Sequence, residues 1–151
     1  MAPNGLVRHA RRNDATAIRQ LQSLLPEPSP TLLSTALAEL SSAVPIRTST
    51  LLVSPDSDDQ PVGYLLAVGD GPIHIAELAV DPDHRRAGRA TALLKQICNA
   101  TSHSVTVHVA STNDPARSLY RRVGFVETGR SAELFESSEG ITLRYPPSTE
   151  R

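Results

Sequence analysis

The sequence lacks the features that would assign it to several large classes of protein. It has a single cysteine among 151 residues, which excludes an internal disulfide and makes the cytoplasm the expected compartment. No apolar run approaches the ~20 residues that cross a bilayer, and the N-terminal stretch has none of the apolar character of a secretory signal. The net charge of −1 provides no overall field that would attract nucleic acid or a membrane surface.

What is present is the composition of an ordinary globular protein, with 39% hydrophobic and 21% charged residues. A chain of this length is expected to form one domain over residues 1–151 and to bury roughly 70% of its unfolded surface. Apolar periodicity predicts strands near residues 6–9, 48–54, 62–68, 73–80, 104–110, 125–135 and 141–145, and helices near residues 14–25, 30–40, 88–100 and 114–123. We expect Asn13 or Asp14 to cap the first helix and Ser29 to cap the second. The fourth helix is expected to end at Gly124. The ends, up to residue 5 and from residue 146, are predicted to be loose.

The predicted strand at residues 73–80 has an irregular apolar pattern. Ile73 and Ile75 share one parity, whereas Leu78 and Val80 share the other. One extra residue at position 76 or 77 would restore a single apolar face, which is typical of a β-bulge. The alternative is a strand buried on both faces, where parity carries no information. A bulge would re-aim side chains and free backbone N–H groups.

After that strand the chain reads DPDHRRAGRAT, an Arg- and Gly-rich loop that opens an Ala- and Leu-rich helix. Backbone N–H groups, a helix N-terminus and three arginines at one point predict a phosphate-binding site. The loop lacks the Lys-Ser/Thr pair of a Walker loop and the three spaced glycines of a dinucleotide fingerprint. The alternatives are a solvated basic turn, or a contact with nucleic acid through Arg85, Arg86 and Arg89.

Three motifs in this order resemble the GCN5-related N-acetyltransferase (GNAT) superfamily. They are L-A-V-x-P at residues 78–82, R-x-x-G-x-A at residues 85–90, and N-x-x-A-x-x-L-Y-x-x-x-G-F at residues 113–125. The resemblance spans almost the whole chain. It implies an α/β (α+β) fold: a mixed, mostly antiparallel central sheet of about seven strands flanked by about four helices, with coenzyme A in a wedge between the fourth and fifth strands.

The same resemblance implies a set of residues that bind acetyl-CoA as co-substrate. The pyrophosphate would lie against Arg85, Arg86, Ala87, Gly88, Arg89, Ala90 and Thr91. The pantetheine arm would pair with the backbone of Leu78, Ala79 and Val80, where a freed N–H of Leu78 or Val80 could hold the oxyanion. Asn113 and Ala116 would line the other side of that arm, although Asn113 also suits a plain helix cap.

The resemblance also implies catalytic candidates. Tyr120 would protonate the departing thiolate, because a phenol of pKa about 10 can serve a thiolate of pKa about 8.5 as a general acid; the alternative is a buried aromatic of its helix. For the general base, His108, His74 and Glu77 all remain open, and each could instead have no catalytic role. An imidazole with a pKa near 6.5 is suited to take a proton from an ammonium.

The expected activity is transfer of an acetyl group from acetyl-CoA to a primary amine by direct attack, without an acyl-enzyme. The acceptor would be a small molecule or a peptide N-terminus, with no nucleic acid and no membrane involved, and a homodimer is compatible with this. His74, Glu77 and His108 could together suit zinc, but the CoA motifs require no metal and none is expected. The alternatives are a catalytically silent CoA-binding regulatory module and, less favoured, an RNA-binding domain.

Overall fold

The computed structural model of the protein describes residues 6–42, 48–132 and 139–151. Within these residues seven strands form one sheet, whose spatial order follows the chain from the first strand to the fifth and then places the seventh strand before the sixth. The strands are β1 (Arg8–His9), β2 (Ser49–Pro55), β3 (Pro61–Val68), β4 (Ile73–Val80), β5 (Val105–Ala110), β6 (Val126–Ser131) and β7 (Gly140–Tyr145). The helices are α1 (Ala15–Gln22), α2 (Pro30–Leu40), α3 (Arg89–Ala100) and α4 (Asp114–Val123). The predicted mixed, mostly antiparallel sheet with flanking helices is confirmed.

Proline and glycine delimit the helices largely as predicted, but the first helix is shorter. α1 ends at Gln22, so the segment from residue 23 to residue 29 is a non-helical connection to α2. Asp14 and Ser29 occupy the N-cap positions, yet neither side chain caps its helix. The Asp14 carboxylate accepts hydrogen bonds from the Arg8 side chain instead. Gly124, with φ +123°, ends α4 as expected.

The connectivity leaves one junction in the sheet only partly closed. β1 to β4 pair with their neighbours in antiparallel fashion, and so do β5, β7 and β6. β4 and β5 pair in parallel, over Ile73–Ile75 and Val105–Val107 alone. Within the described residues, no residue of β4 beyond Ile75 pairs with β5, so the two strands separate from that point. The predicted wedge between the fourth and fifth strands is therefore present.

The two faces of the sheet pack against different helices. One face buries a cluster that includes residues of α3, α4, β5 and β7, and the other buries a cluster that includes residues of α1, α2, β2 and β3. Each cluster places apolar area out of water at about 25 cal/mol per Å², so both layers stabilise the sheet in which the wedge lies.

The predicted bulge in β4 is confirmed. Leu66 pairs with Glu77 and Ala67 pairs with Ile75, so Ala76 is the extra residue. Before the bulge Ile75 packs on the α3 and α4 side, and after it Leu78 packs on that same side. Ala76 contacts the α1 and α2 cluster. The bulge therefore directs the side chains at positions 76 and 77 to one face, which matters for the site below.

The prediction of a loose C-terminus is wrong. Residues Ser148–Glu150 form a short 3₁₀ turn. The Arg144 guanidinium pairs with the Glu150 carboxylate at 3.0 Å, and the Arg151 guanidinium lies 4.5 Å from the centre of the Tyr145 ring. Both contacts hold the end of the chain against β7. Residues 1–5, predicted to be loose, lie outside the described residues. The sequence predicts the turn of the last hairpin around residues 137–140, and residues 137 and 138 of that turn lie outside the described residues as well.

Candidate active site

The separation of β4 from β5 opens a cavity of about 940 Å³. Residues 75–80 of β4 form one wall and residues 107–110 of β5 the facing wall. The Arg-rich loop and the start of α3 close one end, and α4 contributes Asn113, Ala116 and Tyr120. Residues 24–27, from the connection between α1 and α2, line the cavity as well. Most of the residues predicted for the site therefore meet around a single cleft.

The loop before α3 has a backbone suited to binding an anion. Arg86 and Gly88 both have positive φ, at +62° and +81°, and Gly88 is the N-cap residue of α3. Alternation of left-handed residues with others turns successive N–H groups toward one concave side, where the helix N-terminus adds its own partial positive charge. A Cβ added to Gly88 would meet nothing within 4 Å. The glycine is therefore required by its φ, and the space beside it is open.

The three arginines of the loop have different environments. The Arg85 Nε donates to the Val80 carbonyl at 2.9 Å, which ties the loop to the end of β4. The Arg89 side chain is 7% exposed and donates to Ser54 Oγ and the Pro55 carbonyl, both at 2.9 Å. Its guanidinium is thus directed toward β2, contrary to the expectation that all three arginine side chains reach a ligand. Arg86 is exposed at the loop surface.

Tyr120 lies on the cavity wall and is otherwise enclosed. Its side chain is 4% exposed and meets the Phe125 ring edge-on, at 5.2 Å between centroids. Burial, and to a smaller extent the proximity of Cys98, raises the pKa of Tyr120 above its usual value. The hydroxyl therefore keeps its proton at neutral pH. At the start of the same helix, Asn113 Oδ1 accepts a hydrogen bond from the Ala116 N–H at 3.2 Å and so caps α4.

His74 and His108 form a pair on neighbouring strands. Their ring centroids are 4.6 Å apart with the planes tilted by 50°. His74 Nδ1 is 2.9 Å from Thr106 Oγ1, and His108 Nδ1 is 3.0 Å from Thr142 Oγ1. His108 is exposed and lines the cavity, whereas His74 is partly buried beside it. Burial, together with the nearby His108, lowers the pKa of His74.

Glu77, the third candidate base, is enclosed by hydrogen-bond donors. It is 3% exposed and accepts from Gln22 Nε2, the Ser29 N–H and the Tyr64 hydroxyl, at distances between 2.6 and 3.1 Å. No group of three His, Cys, Asp or Glu side chains suited to a metal ion occurs in the part of the chain that the structure describes. Glu77 thus does not join the two histidines as a ligand set.

The sequence predicts an acceptor side built from the first two helices, their Pro-rich connection and the terminal hairpin, and Leu24, Leu25, Pro26 and Glu27 of that connection do line the cavity. Arg122 on α4 also lines it and was not found by reasoning from the sequence. The partners of Glu77 were also missed, since nothing in the sequence links Gln22 or Tyr64 to a residue of β4. The left-handed conformation of Arg86 could not be predicted from the sequence either, because arginine does not favour it.

In the described residues, no helix combines the length and apolar character needed to span a bilayer.

The chain is similar to known acetyltransferases in sequence and in fold. The family model described as "Acetyltransferase (GNAT) domain" matches residues 30–141. The peptidyl-lysine N-acetyltransferase YjaB of Escherichia coli is 36% identical over 81 residues, which cover 54% of this chain and 52% of that protein. The chain thus spans about half the length of that curated relative, and the match to the Salmonella typhimurium protein of the same name covers 65% of its length.

Two solved structures show the same fold at low sequence identity. A variant of the spermidine N-acetyltransferase SpeG from Vibrio cholerae matches with a TM-score of 0.79 at 18% identity, covering 96% of each chain. Arabidopsis thaliana NAA60 in complex with acetyl-CoA matches with a TM-score of 0.77 at 17% identity, covering 93% of this chain and 97% of that one. With the family model matched over most of its length, the chain belongs to the GNAT family of acetyltransferases.

Proposed function

We propose that this protein transfers the acetyl group of acetyl-CoA to a primary amine. The observation that carries the proposal is the cleft between β4 and β5, lined by a loop with left-handed backbone at the N-terminus of α3 and by the buried side chain of Tyr120. The names of the matched proteins, which act on peptidyl-lysine or spermidine, support an amine acceptor. The near-zero net charge supports an acceptor that is free in solution rather than nucleic acid or a membrane.

The loop would bind the pyrophosphate of the co-substrate chiefly through its backbone. The N–H groups of residues 86–90 belong to the loop and to the first residues of α3, where they would donate to the phosphate oxygens. The exposed Arg86 side chain would add a charge-assisted contact. The side chains of Arg85 and Arg89 hold the loop in place through Val80 and β2. Residues 78–80 of β4 pair with β3 on one side only, so their other side, which faces β5, would accept the pantetheine arm as an added strand, and an N–H directed to that side would bind the oxyanion.

The proton transfers are assigned to His108 and Tyr120. His108 is the exposed member of the histidine pair, so it would take the proton of the attacking ammonium, directly or through a water. The neutral amine forms a C–N bond to the acetyl carbonyl. As the intermediate collapses the C–S bond breaks, and the nitrogen of the new amide loses its second proton through water to solvent. Tyr120 gives its proton to the departing thiolate and regains one from solvent, which balances the reaction.

Direct attack by the amine is favoured over a covalent acetyl-cysteine. Cys98 is 1% exposed in the apolar layer beneath α3. Burial raises the pKa of the Cys98 thiol to about 12, so almost none of it is thiolate at neutral pH. A buried thiol is a poor nucleophile, and the acetyl group would therefore pass straight to the acceptor.

The proposal is tested by binding and turnover together. At about 100 times its Kd, CoA should add about 2.7 kcal/mol of stability, which appears as a rise in Tm. Acetyl-CoA with a panel of N-terminal peptides, lysine peptides, polyamines and aminoglycosides should release free thiol with at least one acceptor. A Tm unmoved by millimolar CoA would contradict the proposal, and a shift without thiol release would indicate a CoA-binding regulatory module.

A matched pair of loop variants shows where the co-substrate binds. Arg86→Glu reverses the charge of the exposed arginine and should reduce the CoA-induced rise in Tm, because a carboxylate there repels the pyrophosphate while the backbone donors remain. Arg12→Glu, in the exposed turn before α1 and outside the cavity lining, makes the same charge change away from the cleft. It should leave the CoA-induced shift intact.

A further inference from the structure

The segment between α1 and α2 forms a wall of the cleft. Residues 24–27 line the cavity together with residues of α4 and the Arg-rich loop. Leu24 and Pro26 are exposed, whereas Leu25 packs against the core cluster of α1 and α2. Prolines at positions 26 and 28 remove two backbone donors from the segment. Hydrogen bonds made at its two ends therefore add to the contacts that fix its position.

Glu77 contacts both of those ends. Gln22, the last residue of α1, donates its side-chain Nε2 to the two carboxylate oxygens at 3.0 and 3.1 Å. Ser29, the residue before α2, donates its backbone N–H to Oε2 at 2.6 Å. The Tyr64 hydroxyl, on β3, donates to Oε1 at 3.0 Å and fixes the carboxylate on the sheet. One side chain thus joins the sheet to each end of the segment.

The bulge in β4 makes this contact available. Ala76 is the extra residue, so Glu77 is on the face of the sheet that α1 and α2 cover. The following residue, Leu78, packs on the opposite face. The bulge leaves residues 78–80 of β4 facing the cleft. It also directs the Glu77 carboxylate at the segment between α1 and α2.

We propose that Glu77 is a positioning residue for the amine acceptor, an inference that rests on the proposed acetyl transfer. Each carboxylate oxygen already accepts two hydrogen bonds, all from neutral donors, and the side chain is 3% exposed. Glu77 therefore holds residues 23–29 as one wall of the acceptor site, and it does not take the proton of the amine. That proton goes to the histidine pair.

The kinetic test uses one variant at Glu77 and one at a partner that does not line the cleft. Glu77→Gln turns two acceptor positions into donors, and Gln22→Met removes donors while keeping the side-chain length. Both should raise the KM for the amine about tenfold, the effect of losing about one charge-assisted hydrogen bond, and change kcat by less than about threefold. The pH profile of kcat should keep its shape in both variants. A large loss of kcat and a lost acidic limb in Glu77→Gln alone would overturn the proposal.

A second measurement is independent of activity. The Ser29 amide should exchange with deuterium about tenfold faster in Glu77→Gln than in the wild type, as followed by NMR of the ligand-free protein, because its acceptor is weakened. The amide of Ala116, bonded to Asn113 on α4, is the internal reference and should keep its rate. An unchanged Ser29 rate would overturn the proposal even if the enzyme turns over. Absence of turnover in the wild type with faster Ser29 exchange in the variant would contradict the proposed function and leave the positioning role supported.

Discussion

The imidazole rings of His74 and His108 lie 4.6 Å apart between centroids, on the two strands that separate to form the cleft. The parallel register joins His74 to Thr106, so His108 is two residues further along the neighbouring strand and projects from the same face. Each ring is oriented by a threonine hydroxyl. A charge on His108 disfavours protonation of His74, because like charges this close repel each other.

We predict that His74 makes the stability of the protein depend on pH. Burial, and then the charge of His108, lowers the pKa of His74 in the folded state. As the pH falls below about 6.5, the unfolded chain binds a proton that the folded protein resists binding. The stability contributed by the neutral His74 is therefore fully present above that pH and is lost as the pH falls through the lowered folded pKa. His74→Gln should show a smaller fall in Tm between about pH 7.5 and pH 5 than the wild type.

His103 offers the matched control for this prediction. It is exposed in the turn before β5, and it contributes only its backbone N–H to a hydrogen bond with Thr101. His103→Gln should therefore leave the pH dependence of Tm unchanged. If His103→Gln and His74→Gln flatten the curve to the same extent, burial of His74 is not the cause.

We expect His108 to limit turnover more than His74 does. His108 is exposed and lines the cavity, whereas His74 is partly buried and is not among the residues that line it. His108→Gln should lower kcat by about 10²–10⁴-fold, the range for loss of a general base, and His74→Gln should lower it by less than about tenfold. Steady-state thiol release at saturating acetyl-CoA measures both values. Equal losses in the two variants would contradict the assignment of His108 as the proton acceptor.

Tyr120→Phe should slow the chemical step and leave CoA binding unchanged. Removing the hydroxyl removes the proton donor for the thiolate, while the ring keeps its edge-on contact with Phe125. A fall in kcat of about 10²–10⁴-fold is expected, with the CoA-induced shift in Tm retained. Tyr145→Phe is the control, because the Tyr145 ring also packs on Phe125 but lies outside the cavity wall. A comparable loss of kcat in Tyr145→Phe would point to packing rather than proton transfer.

Local signals in the sequence predicted most of the elements because periodicity, proline and glycine act over short distances. The parity change between Ile75 and Leu78 even located the bulge to within one residue. The end of α1 was misplaced because Leu25 fits the helical spacing, although the connection to α2 requires an earlier stop. The order of the C-terminus could not be predicted from the sequence, because the pairing of Arg144 with Glu150 and the stacking of Arg151 on Tyr145 form only once β7 has folded.

The site was predictable only where the chemistry follows from adjacent residues. The loop at residues 85–91 could be recognised because its donors are consecutive in the chain. The enclosure of Glu77 could not, since its donors come from positions 22, 29 and 64 and meet only after the sheet and helices pack. The direction of the Arg89 side chain toward Ser54 depended on the same long-range packing.

The left-handed cap at Gly88 leads to a last prediction, about stability and binding together. Gly88 has φ +81° and open space around its Cβ position, so Gly88→Ala introduces backbone strain but no clash. The free energy of unfolding should fall by about 1 kcal/mol, measured by urea denaturation, because an alanine resists the left-handed region. The added methyl also projects into the proposed pyrophosphate site, so the CoA-induced rise in Tm should shrink.

Gly129 separates these two effects, because it also has open space at its Cβ position but lies on the exposed strand β6 with no positive φ. Gly129→Ala should leave the free energy of unfolding unchanged or raise it by a few tenths of a kcal/mol through the less flexible unfolded chain. Its CoA response should match that of the wild type. If Gly88→Ala proved as stable as Gly129→Ala, the loop would not need the left-handed backbone, and the anion-binding turn built on it would have to be reconsidered.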